Sequence, residues 1–288
     1  MYLSKHIQSL VRSALEEDGC KKDVTTVLAI SSKLKASGII VAQEKGVLSG
    51  IDIAEAVFKQ LNKKIKFKAF KKDGSVFKKG DKIALIQGNL QTILTGERVA
   101  LNFLSLLSGV TSLTKKFVEK VKGTKIKIKD TRKTIPNLRI LEKYAVRVGK
   151  GTNHRFSLSD GIIVKDNHLK AAGYLHQGCL NKQRFASLIA SLRKKSSFKI
   201  EIEVESLGEL KEVLKYKPDI IMLDNFSVKS LKQAVSFCNK YYPKIKLEAS
   251  GGVNLKNVKA VASSGVDYIS IGMITDSPEV IDFSLEIK

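Results

Sequence analysis

The segment IKDTRKT, residues 128–134, joins a strand-like pattern to a dense cluster of charge and hydroxyl groups. Its first residues alternate polar and apolar side chains, as a half-buried strand does. Five residues then follow with no apolar residue among them: Asp130, Thr131, Arg132, Lys133 and Thr134. Taken alone, such a cluster is as typical of a solvated strand end as of a ligand-binding site.

Arginine is scarce in this chain and is concentrated in its middle. Five of the eight arginines lie within one short stretch: Arg98, Arg132, Arg139, Arg147 and Arg155. A guanidinium group offers a rigid fork of donors that matches carboxylate and phosphate groups. The distribution therefore predicts that planar anions are recognised in this region.

Cationic side chains also occur in the next two polar clusters. His154 and Arg155 stand in GTNHR, and Lys165 follows the strand-like segment GIIV. Singly, a histidine is usually a hydrogen-bonded structural residue and a lysine is usually solvated. Together with Arg132 and Lys133 they predict one cationic site.

Carboxylates stand in two later strand-like segments. Glu201, Glu203 and Glu205 share one face of KIEIEVES by the period of two, and Asp224 ends IIMLD. A pair formed by one of these glutamates and Asp224 beside many cations suits a Mg²⁺ ion that takes its other ligands from substrate phosphate and water. The alternative is that these carboxylates form internal ion pairs with the lysines of the site.

Glycine follows the last two strand-like segments. Ser250, Gly251 and Gly252 end KLEASGG, and Gly272 stands in YISIGM. Barrels commonly hold phosphate at such positions with backbone N–H groups and a helix N-terminus. The predicted ligands are therefore polyanions, namely a phosphorylated sugar and a carboxylate-bearing partner. A barrel aldolase that forms a Schiff base through one of the site lysines is an alternative.

These clusters fall at the ends of elements that repeat along the second part of the chain. Short apolar strands alternate with helical patterns there, which predicts a parallel sheet closed or nearly closed into a barrel. Six strands are predicted: KIKIKD, GIIVKDNH, KIEIEVES, DIIMLDN, KLEASGG and YISIGM. Because catalytic groups of such barrels gather at the carboxyl ends of the strands, we expect the clusters to converge on one mouth.

The first part of the chain predicts a smaller α/β domain. Helical patterns cover the first residues and IDIAEAVFKQL, a strand is predicted in KASGIIVAQEKGVLSG, and a turn is predicted at Gly80–Asp81. Residues 90–121 have strong helical periodicity, which we expect to break near Ser108–Gly109 because glycine is a poor helix former. The predicted domain boundary lies at this break.

A formal net charge of +23 is first of all typical of a nucleic-acid-binding protein. The excess, however, is mostly lysine scattered along the whole chain, aromatic residues make up 7%, and tryptophan is absent, so no nucleic-acid partner is predicted. No uninterrupted apolar run approaches the ~20 residues of a membrane span, and no membrane partner is predicted. Three widely spaced cysteines, Cys20, Cys179 and Cys238, are typical of free thiols, and the predicted location is cytoplasmic.

The order of the motifs resembles that of the quinolinate phosphoribosyltransferases. The segments that carry the resemblance span nearly the whole chain and are EEDGCKKDVTT, GERVALNFLSLLSGV, KDTRKTIPNLRILEKYAVRVGKGTNHR, LSDGIIVKDNH, IEIEVES, IIMLDN, LEASGGV and GVDYISIGM. The resemblance implies an N-terminal α/β sandwich, residues 1–110 joined by the C-terminal tail 276–288, and an incomplete (open) α/β barrel of TIM-like type, residues 111–275. It implies phosphoribosyl transfer from phosphoribosyl pyrophosphate to quinolinate with decarboxylation, giving nicotinate mononucleotide for NAD biosynthesis. Mg²⁺ and no organic cofactor are implied.

The resemblance also implies residue roles in a homodimer or a higher oligomer. The predicted substrate-binding residues are Arg98, Thr131, Arg132, Lys133, His154, Arg155, Lys165, Glu203, Asp224, Ser250, Gly251, Gly252 and Gly272. The predicted catalytic residues are Lys133, Lys165, Glu203 and Asp224, and the two carboxylates would also bind Mg²⁺. Arg98 would reach across a dimer interface to a quinolinate carboxylate, and the glycines would hold phosphate.

The chain departs from the family pattern at three places. It has Lys150 in a segment where many relatives have Gly-Gly, and Asn137 after a proline where they have glycine, although asparagine still tolerates a left-handed turn. Asp276 stands where some relatives have histidine, so no phosphate contact is assigned to it. An alternative within the family is a relative with another aromatic-acid acceptor, of the kind associated with molybdenum-transport operons, but the intact KDNH segment, residues 165–168, argues against it.

Overall fold

The structure is a computed structural model that describes residues 4–176 and 179–288. Its α-helices, in chain order, are α1 (Lys5–Glu17), α2 (Val24–Ala29), α3 (Ile51–Leu61), α4 (Leu90–Lys120), α5 (Arg139–Val148), α6 (Asp166–Ala171), α7 (Lys182–Lys195), α8 (Leu207–Leu214), α9 (Val228–Tyr241), α10 (Val258–Ala262) and α11 (Met273–Asp276). Its strands are β1 (Lys35–Ala42), β2 (Gly46–Val47), β3 (Lys66–Ala69), β4 (Val76–Phe77), β5 (Lys82–Asn89), β6 (Lys127–Lys129), β7 (Ile162–Val164), β8 (Leu175–His176), β9 (Cys179–Leu180), β10 (Ile200–Val204), β11 (Ile220–Asp224), β12 (Lys246–Ser250), β13 (Tyr268–Ser270) and β14 (Phe283–Ile287).

The chain divides into two compact units. Unit 1 is formed by Met1–Lys115, Thr134–Lys150 and Ile274–Lys288. Unit 2 is formed by Lys116–Lys133 and Gly151–Met273. The predicted ranges differ from these units mainly in assigning α5 to the barrel. Two hydrogen bonds hold α5 within unit 1, because the Thr111 hydroxyl donates to the Ala145 carbonyl at 3.0 Å and the Tyr144 hydroxyl donates to Asp73 at 2.7 Å.

Unit 1 contains a four-stranded antiparallel sheet in the order β14-β1-β5-β3. The C-terminal strand β14 pairs with β1, in register at Ile40 and Leu285, so the tail of the chain belongs to this unit. Buried side chains such as Ile40, Phe58 and Ile86 form its core. The predicted N-terminal helix is confirmed as α1, whose N-cap Ser4 accepts a hydrogen bond from Ile7 N–H.

Helix α4 is continuous from Leu90 to Lys120, so the predicted break near Ser108–Gly109 is wrong. A side chain at Gly109 would meet the carbonyl oxygen of Glu279 at 2.2 Å. Glycine is needed there for close approach of the C-terminal segment rather than for a chain reversal. Helix α4 is long and apolar enough to cross a membrane, but 61% of its apolar window is buried inside the protein, as in a core helix.

The predicted turn at Gly80–Asp81 is present, with Gly80 at φ +84° and Asp81 N–H donating to the Lys78 carbonyl at 3.1 Å. The strands on its two sides do not pair with each other as in a hairpin. Instead β4 pairs with β2, while β5 pairs with β1 and β3. The turn therefore connects two sheets of unit 1.

Unit 2 contains a six-stranded parallel sheet in the order β6-β13-β12-β11-β10-β7, which confirms the predicted α/β class and all six predicted strands. Within the described residues, the edge strands β6 and β7 do not pair with each other, so the barrel is open. All five residues of β10 are buried, as expected for a parallel strand covered on both faces. The serine N-caps Ser206 and Ser227 begin α8 and α9 soon after the carboxyl ends of their strands.

Two of the departures from the family pattern have left-handed backbone. Asn137 has φ +66°, as the sequence predicted, and Lys150 has φ +70°. Asparagine visits this region with little penalty, whereas a lysine there is strained by roughly 1–2 kcal/mol. Cys20 and Cys238 are free thiols, and the side chain of Cys179 lies outside the described part of the chain.

Candidate active site

A cavity of about 440 Å³ opens in unit 2 at the carboxyl ends of the parallel strands. Nine of the thirteen predicted site residues line it: Thr131, Arg132, Lys133, His154, Arg155, Lys165, Glu203, Asp224 and Ser250. Three further lining residues were not predicted: Ile163, Met222 and Ser270. The volume lies within the range of ordinary ligand sites. The polar clusters, scattered in sequence, are thus brought together by the strands that carry them.

The other four predicted residues lie elsewhere. Gly251 and Gly252 directly follow the lining residue Ser250, and Gly272 follows the last strand of the sheet. Arg98 is exposed on α4, in unit 1. Its predicted role across a subunit interface stays a prediction.

Arg132 and Arg155 place two guanidinium groups at the same cavity. Burial, and next the nearby charge of Arg132, lower the pKa of Arg155 below its ordinary value. Arg155 Nη1 donates to the Gly161 carbonyl at 3.0 Å, while its buried Nε–H has no hydrogen-bond partner among the described residues. Two like charges with an unused buried donor are the arrangement expected where an anion binds.

Lys165 donates a hydrogen bond to Glu203, which is the internal ion pair predicted as the alternative to a metal site. The Glu203 side chain is 8% exposed and that of Lys165 is 44% exposed, so the pair spans the wall of the cavity and its solvent side. Lys165 is therefore engaged by a carboxylate and half exposed, unlike the desolvated, unpaired lysine that Schiff-base chemistry uses.

Asp224 lies beside an unpredicted residue, Asn225. The amide of Asn225 donates to Asp224 Oδ2 at 2.7 Å, and its backbone N–H donates to the Ser250 carbonyl at 2.9 Å. Asn225 has φ +55°, and Gly251 beside it has φ +87°. The two left-handed residues let the ends of β11 and β12 pack closely, and the sequence LDN is the signal that could have pointed to this turn.

Asp130 holds the segment that carries two of the cations. Its side chain is fully buried, Oδ1 accepts from the backbone N–H of His154 at 2.8 Å, and Oδ2 accepts from the Asn153 amide at 2.6 Å. The Thr131 hydroxyl accepts from the backbone N–H of Lys133 at 3.1 Å. Residues 130–133, which follow β6, therefore form a loop that is anchored by hydrogen bonds.

A buried group of ionic side chains adjoins the cavity around His154. Its Nε2 lies 3.3 Å from Glu201 Oε2 and 3.3 Å from Glu248 Oε1, and Lys129 Nζ lies 2.5 Å from Glu248 Oε2. Burial opposes the charged ring, but the two carboxylates outweigh it and raise the pKa of His154 above its ordinary value. Burial likewise opposes ionisation of Glu248, yet His154 and Lys129 lower the pKa of Glu248 to about 2. Glu248 was not predicted, although period-two alternation in KLEAS places it on the same face of β12 as Ser250.

Fold and site together define an open α/β-barrel protein with a cavity lined by cationic side chains at the carboxyl ends of its strands. Family models described as quinolinate phosphoribosyl transferase, N-terminal domain and C-terminal domain, match residues 23–108 and 110–286. The chain therefore belongs to the quinolinate phosphoribosyl transferase family.

Individual relatives agree with the family models. The chain is 36% identical to a nicotinate-nucleotide pyrophosphorylase [carboxylating] of Mycobacterium leprae, over 96% of this chain and 95% of the relative. A crystal structure of a nicotinate-nucleotide pyrophosphorylase from Ehrlichia chaffeensis has a TM-score of 0.90 at 38% identity and full coverage of both chains. The corresponding structure from Francisella tularensis has a TM-score of 0.89 at 37% identity, over 98% of this chain and 96% of that chain.

Proposed function

We propose that the protein transfers the phosphoribosyl group of phosphoribosyl pyrophosphate to the ring nitrogen of quinolinate, with loss of CO₂. The products are nicotinate mononucleotide and pyrophosphate, for NAD biosynthesis. Membership of the family and the names of the relatives support the reaction. The observation that carries it is the convergence of Arg132, Arg155, Lys133 and Lys165 on one cavity with a carboxylate pair.

Quinolinate is a dianion with adjacent carboxylates, which matches the two guanidinium groups. Arg132 and Arg155 would bind these carboxylates and relieve the repulsion between their own charges. His154, beside Arg155, would complete the binding surface for the ring. Bound in this way, the ring nitrogen is held for attack on the anomeric carbon, so orientation supplies part of the rate enhancement.

The phosphoribosyl group would lie against the opposite wall. Glu203 and Asp224 would bind the ribose hydroxyls, and the backbone N–H groups after Ser250 would bind the phosphate. In the chain alone Glu203 is paired with Lys165, and Asp224 accepts from an amide, so each carboxylate exchanges a protein partner for substrate. Such an exchange makes binding selective for a ligand that supplies new donors.

A magnesium ion fits this donor set, because Glu203 and Asp224 offer hard oxygen ligands from adjacent strands of one cavity wall. Two carboxylates are too few to hold Mg²⁺ alone, so most of its ligands would be substrate oxygens and water. When bound, the ion would neutralise charge on the departing pyrophosphate. Lys133 and Lys165 would stabilise the same developing charge from the protein side.

Decarboxylation needs no further group from the protein. Once alkylated, the ring nitrogen is cationic, and its charge stabilises the carbanion left at the adjacent carbon when the carboxylate departs as CO₂. That carbanion then takes a proton from water to give nicotinate mononucleotide. The arginines that bound the dianion then face a product with one carboxylate fewer, which weakens its binding. The proposal therefore includes no organic cofactor.

The proposed role of Arg98 requires a second copy of the chain. It is an exposed arginine on α4 that lies in unit 1, and we assign it to the active site of a second copy in a homodimer. The free thiols Cys20 and Cys238 are consistent with a cytoplasmic location. We include neither nucleic acid nor a membrane among the partners.

The reaction is tested by incubating purified protein with carboxyl-labelled quinolinate, phosphoribosyl pyrophosphate and Mg²⁺. Labelled CO₂ and nicotinate mononucleotide should appear in equal amounts. Nicotinate, which lacks the second carboxylate, is the matched control and should not turn over. Absence of turnover by folded protein, or preference for another aromatic acid in the same assay, would contradict the proposal.

A further inference from the structure

Glu248 lies fully buried on β12 and contacts side chains from three other segments of unit 2. Lys129 Nζ lies 2.5 Å from Glu248 Oε2, the Ser270 hydroxyl donates to Oε1, and His154 Nε2 lies 3.3 Å from Oε1. Glu201 on β10 approaches the same His154 nitrogen at 3.3 Å. A buried carboxylate that accepts from Lys129 and Ser270 and lies at ion-pair distance from His154 is costly to leave unpaired, so these three side chains constrain one another's positions.

The ring of His154 is oriented at both nitrogens. The backbone N–H of Arg155 donates to Nδ1 at 2.8 Å, which leaves Nε2 as the nitrogen that carries a proton towards the two carboxylates. A second proton on Nδ1 would displace the Arg155 amide. Asp130 also accepts a hydrogen bond from the backbone N–H of His154. Buried carboxylates therefore position both the backbone and the ring of the His154–Arg155 segment.

We propose that Glu248, together with Glu201, is a positioning residue for the acid substrate and acts through His154. Fixing the ring fixes the backbone amide of Arg155, and hence the point from which its guanidinium enters the cavity. The inference rests on the proposed function and assigns the network to the quinolinate side of the site. The ribose and phosphate side is held by other residues, so its affinity should not depend on Glu248.

A metal ion is the competing occupant of this cluster. One ligand atom from each of His154, Glu201 and Glu248 lies within 4.8 Å of the others. The ammonium group of Lys129 already neutralises Glu248 at 2.5 Å and would repel a divalent cation. The proton on Nε2 would also have to leave before the ring could bind metal. The geometry therefore points to a hydrogen-bonded ionic network.

The kinetic test compares Glu248→Gln and Glu201→Gln with Asp267→Asn. Asp267 accepts from Leu247 N–H at the opposite end of β12, so its variant controls for a lost carboxylate in the same unit. Both glutamine variants should raise the KM for quinolinate about tenfold and leave the KM for phosphoribosyl pyrophosphate and kcat within about twofold. Asp267→Asn should leave both KM values unchanged. Equal increases in both KM values would overturn the proposal.

Glu248→Gln breaks the buried ion pair with Lys129 and could therefore destabilise the fold. Glu201→Gln leaves that pair intact and tests the same contact with His154. A second readout is the ¹⁵N spectrum of the His154 ring, with the other histidines as internal references. In the wild-type protein, between pH 6 and 8, the ring should keep its proton on Nε2, which faces Glu201 and Glu248 with Lys129 behind Glu248, while Nδ1 accepts from the Arg155 amide. Either glutamine variant should shift the ring towards the tautomer that is protonated at Nδ1, and an unchanged spectrum would overturn the inference.

The spectrum separates the two proposals. It needs no substrate, so a wild-type protein without activity towards quinolinate would refute the function while the network could still be measured. Stoichiometric zinc in the purified protein, lost in Glu248→Gln, would show a metal site instead and would also overturn the inference.

Discussion

Lys165 and Glu203 form a salt bridge across the candidate active site, linking the residue after β7 to the buried middle of β10. The same two groups are assigned to the substrate, so binding must exchange this pair for contacts with the phosphoribosyl group.

Removing the carboxylate of this pair should affect catalysis more than folding. Glu203→Gln should lower kcat/KM roughly 100-fold, because a charge that stabilises the transition state is lost from a buried position. Lys170→Met is the control, since it removes an exposed ion pair, Lys170–Asp166, and such pairs contribute little to stability. Steady-state kinetics of both variants would decide, and a similar loss in Lys170→Met would contradict the assignment.

Arg132 and Lys133 should have separable roles although they are adjacent. Arg132→Lys keeps the charge but loses the forked geometry, so the KM for quinolinate should rise roughly 10–100-fold with little change in kcat. Lys133→Met should also lower kcat, because its charge would stabilise the departing pyrophosphate. Measuring both KM values and kcat for each variant is sufficient. Identical kinetic profiles for the two variants would refute the division.

Gly251 and Gly252 offer a matched pair of substitutions in the proposed phosphate loop. A Cβ at Gly251 would meet Asn225 Oδ1 at 2.2 Å and Asn225 N at 2.8 Å, whereas nothing lies within 4 Å of one at Gly252. Gly252→Ala should cost roughly 1 kcal/mol from its left-handed backbone, and Gly251→Ala at least roughly 2 kcal/mol. Only Gly251→Ala should strongly raise the KM for phosphoribosyl pyrophosphate. Thermal unfolding and kinetics check both parts.

The assignment of Arg98 to a second copy predicts complementation between inactive variants. Arg98→Ala and Arg132→Ala should each be nearly inactive alone. After mixing under conditions of subunit exchange, half of the dimers would carry one intact site, restoring about one quarter of wild-type activity. If Arg98 served its own chain, every site would lack one arginine and activity would stay low. Size-exclusion chromatography confirms exchange and oligomeric state.

The lowered pKa of Glu248 predicts a specific acid sensitivity. A carboxylate whose folded-state pKa lies near 2 stabilises the fold above about pH 4.5 and loses this contribution as the pH falls from about 4.5 towards 2. Wild type should have a larger free energy of unfolding than Glu248→Gln at neutral pH. This difference should shrink by on the order of 3 kcal/mol as the pH falls through that window. Urea unfolding followed by circular dichroism measures it. Glu286→Gln, an exposed residue of β14, should differ little from wild type at any pH.

The cavity was predictable wherever a polar side chain ends a strand. Arg132, Lys165, Asp224 and Ser250 follow or end apolar strands, and the parallel topology brings such positions together. Glu248 was missed because it lies inside its strand, where a glutamate's partners depend on which other strands are neighbours.

Other differences have similar causes. Glu201, Glu203 and Glu205 share one face in the sequence pattern, yet Glu201 adjoins His154, Glu203 pairs with Lys165, and Glu205 lies beyond the strand. Glycine at position 109 suggested a helix break because its need for close backbone approach is visible only once Glu279 is in place. The separation of α5 from the barrel likewise depends on long-range hydrogen bonds that no local pattern records.

The open sheet of unit 2 leaves two strand edges, and both are poor templates for another polypeptide. Strands β6 and β7 are three residues each, too short to recruit a long foreign strand. Strand β6 also carries Lys127, which is exposed, and Lys129, whose buried charge points inward to Glu248. The outer edge of β6 is also partly paired already, because Thr152 N–H donates to the Ile128 carbonyl at 2.8 Å and Asp130 N–H donates to the Thr152 carbonyl at 3.2 Å. The open sheet therefore offers little free backbone to which a second polypeptide could add a strand.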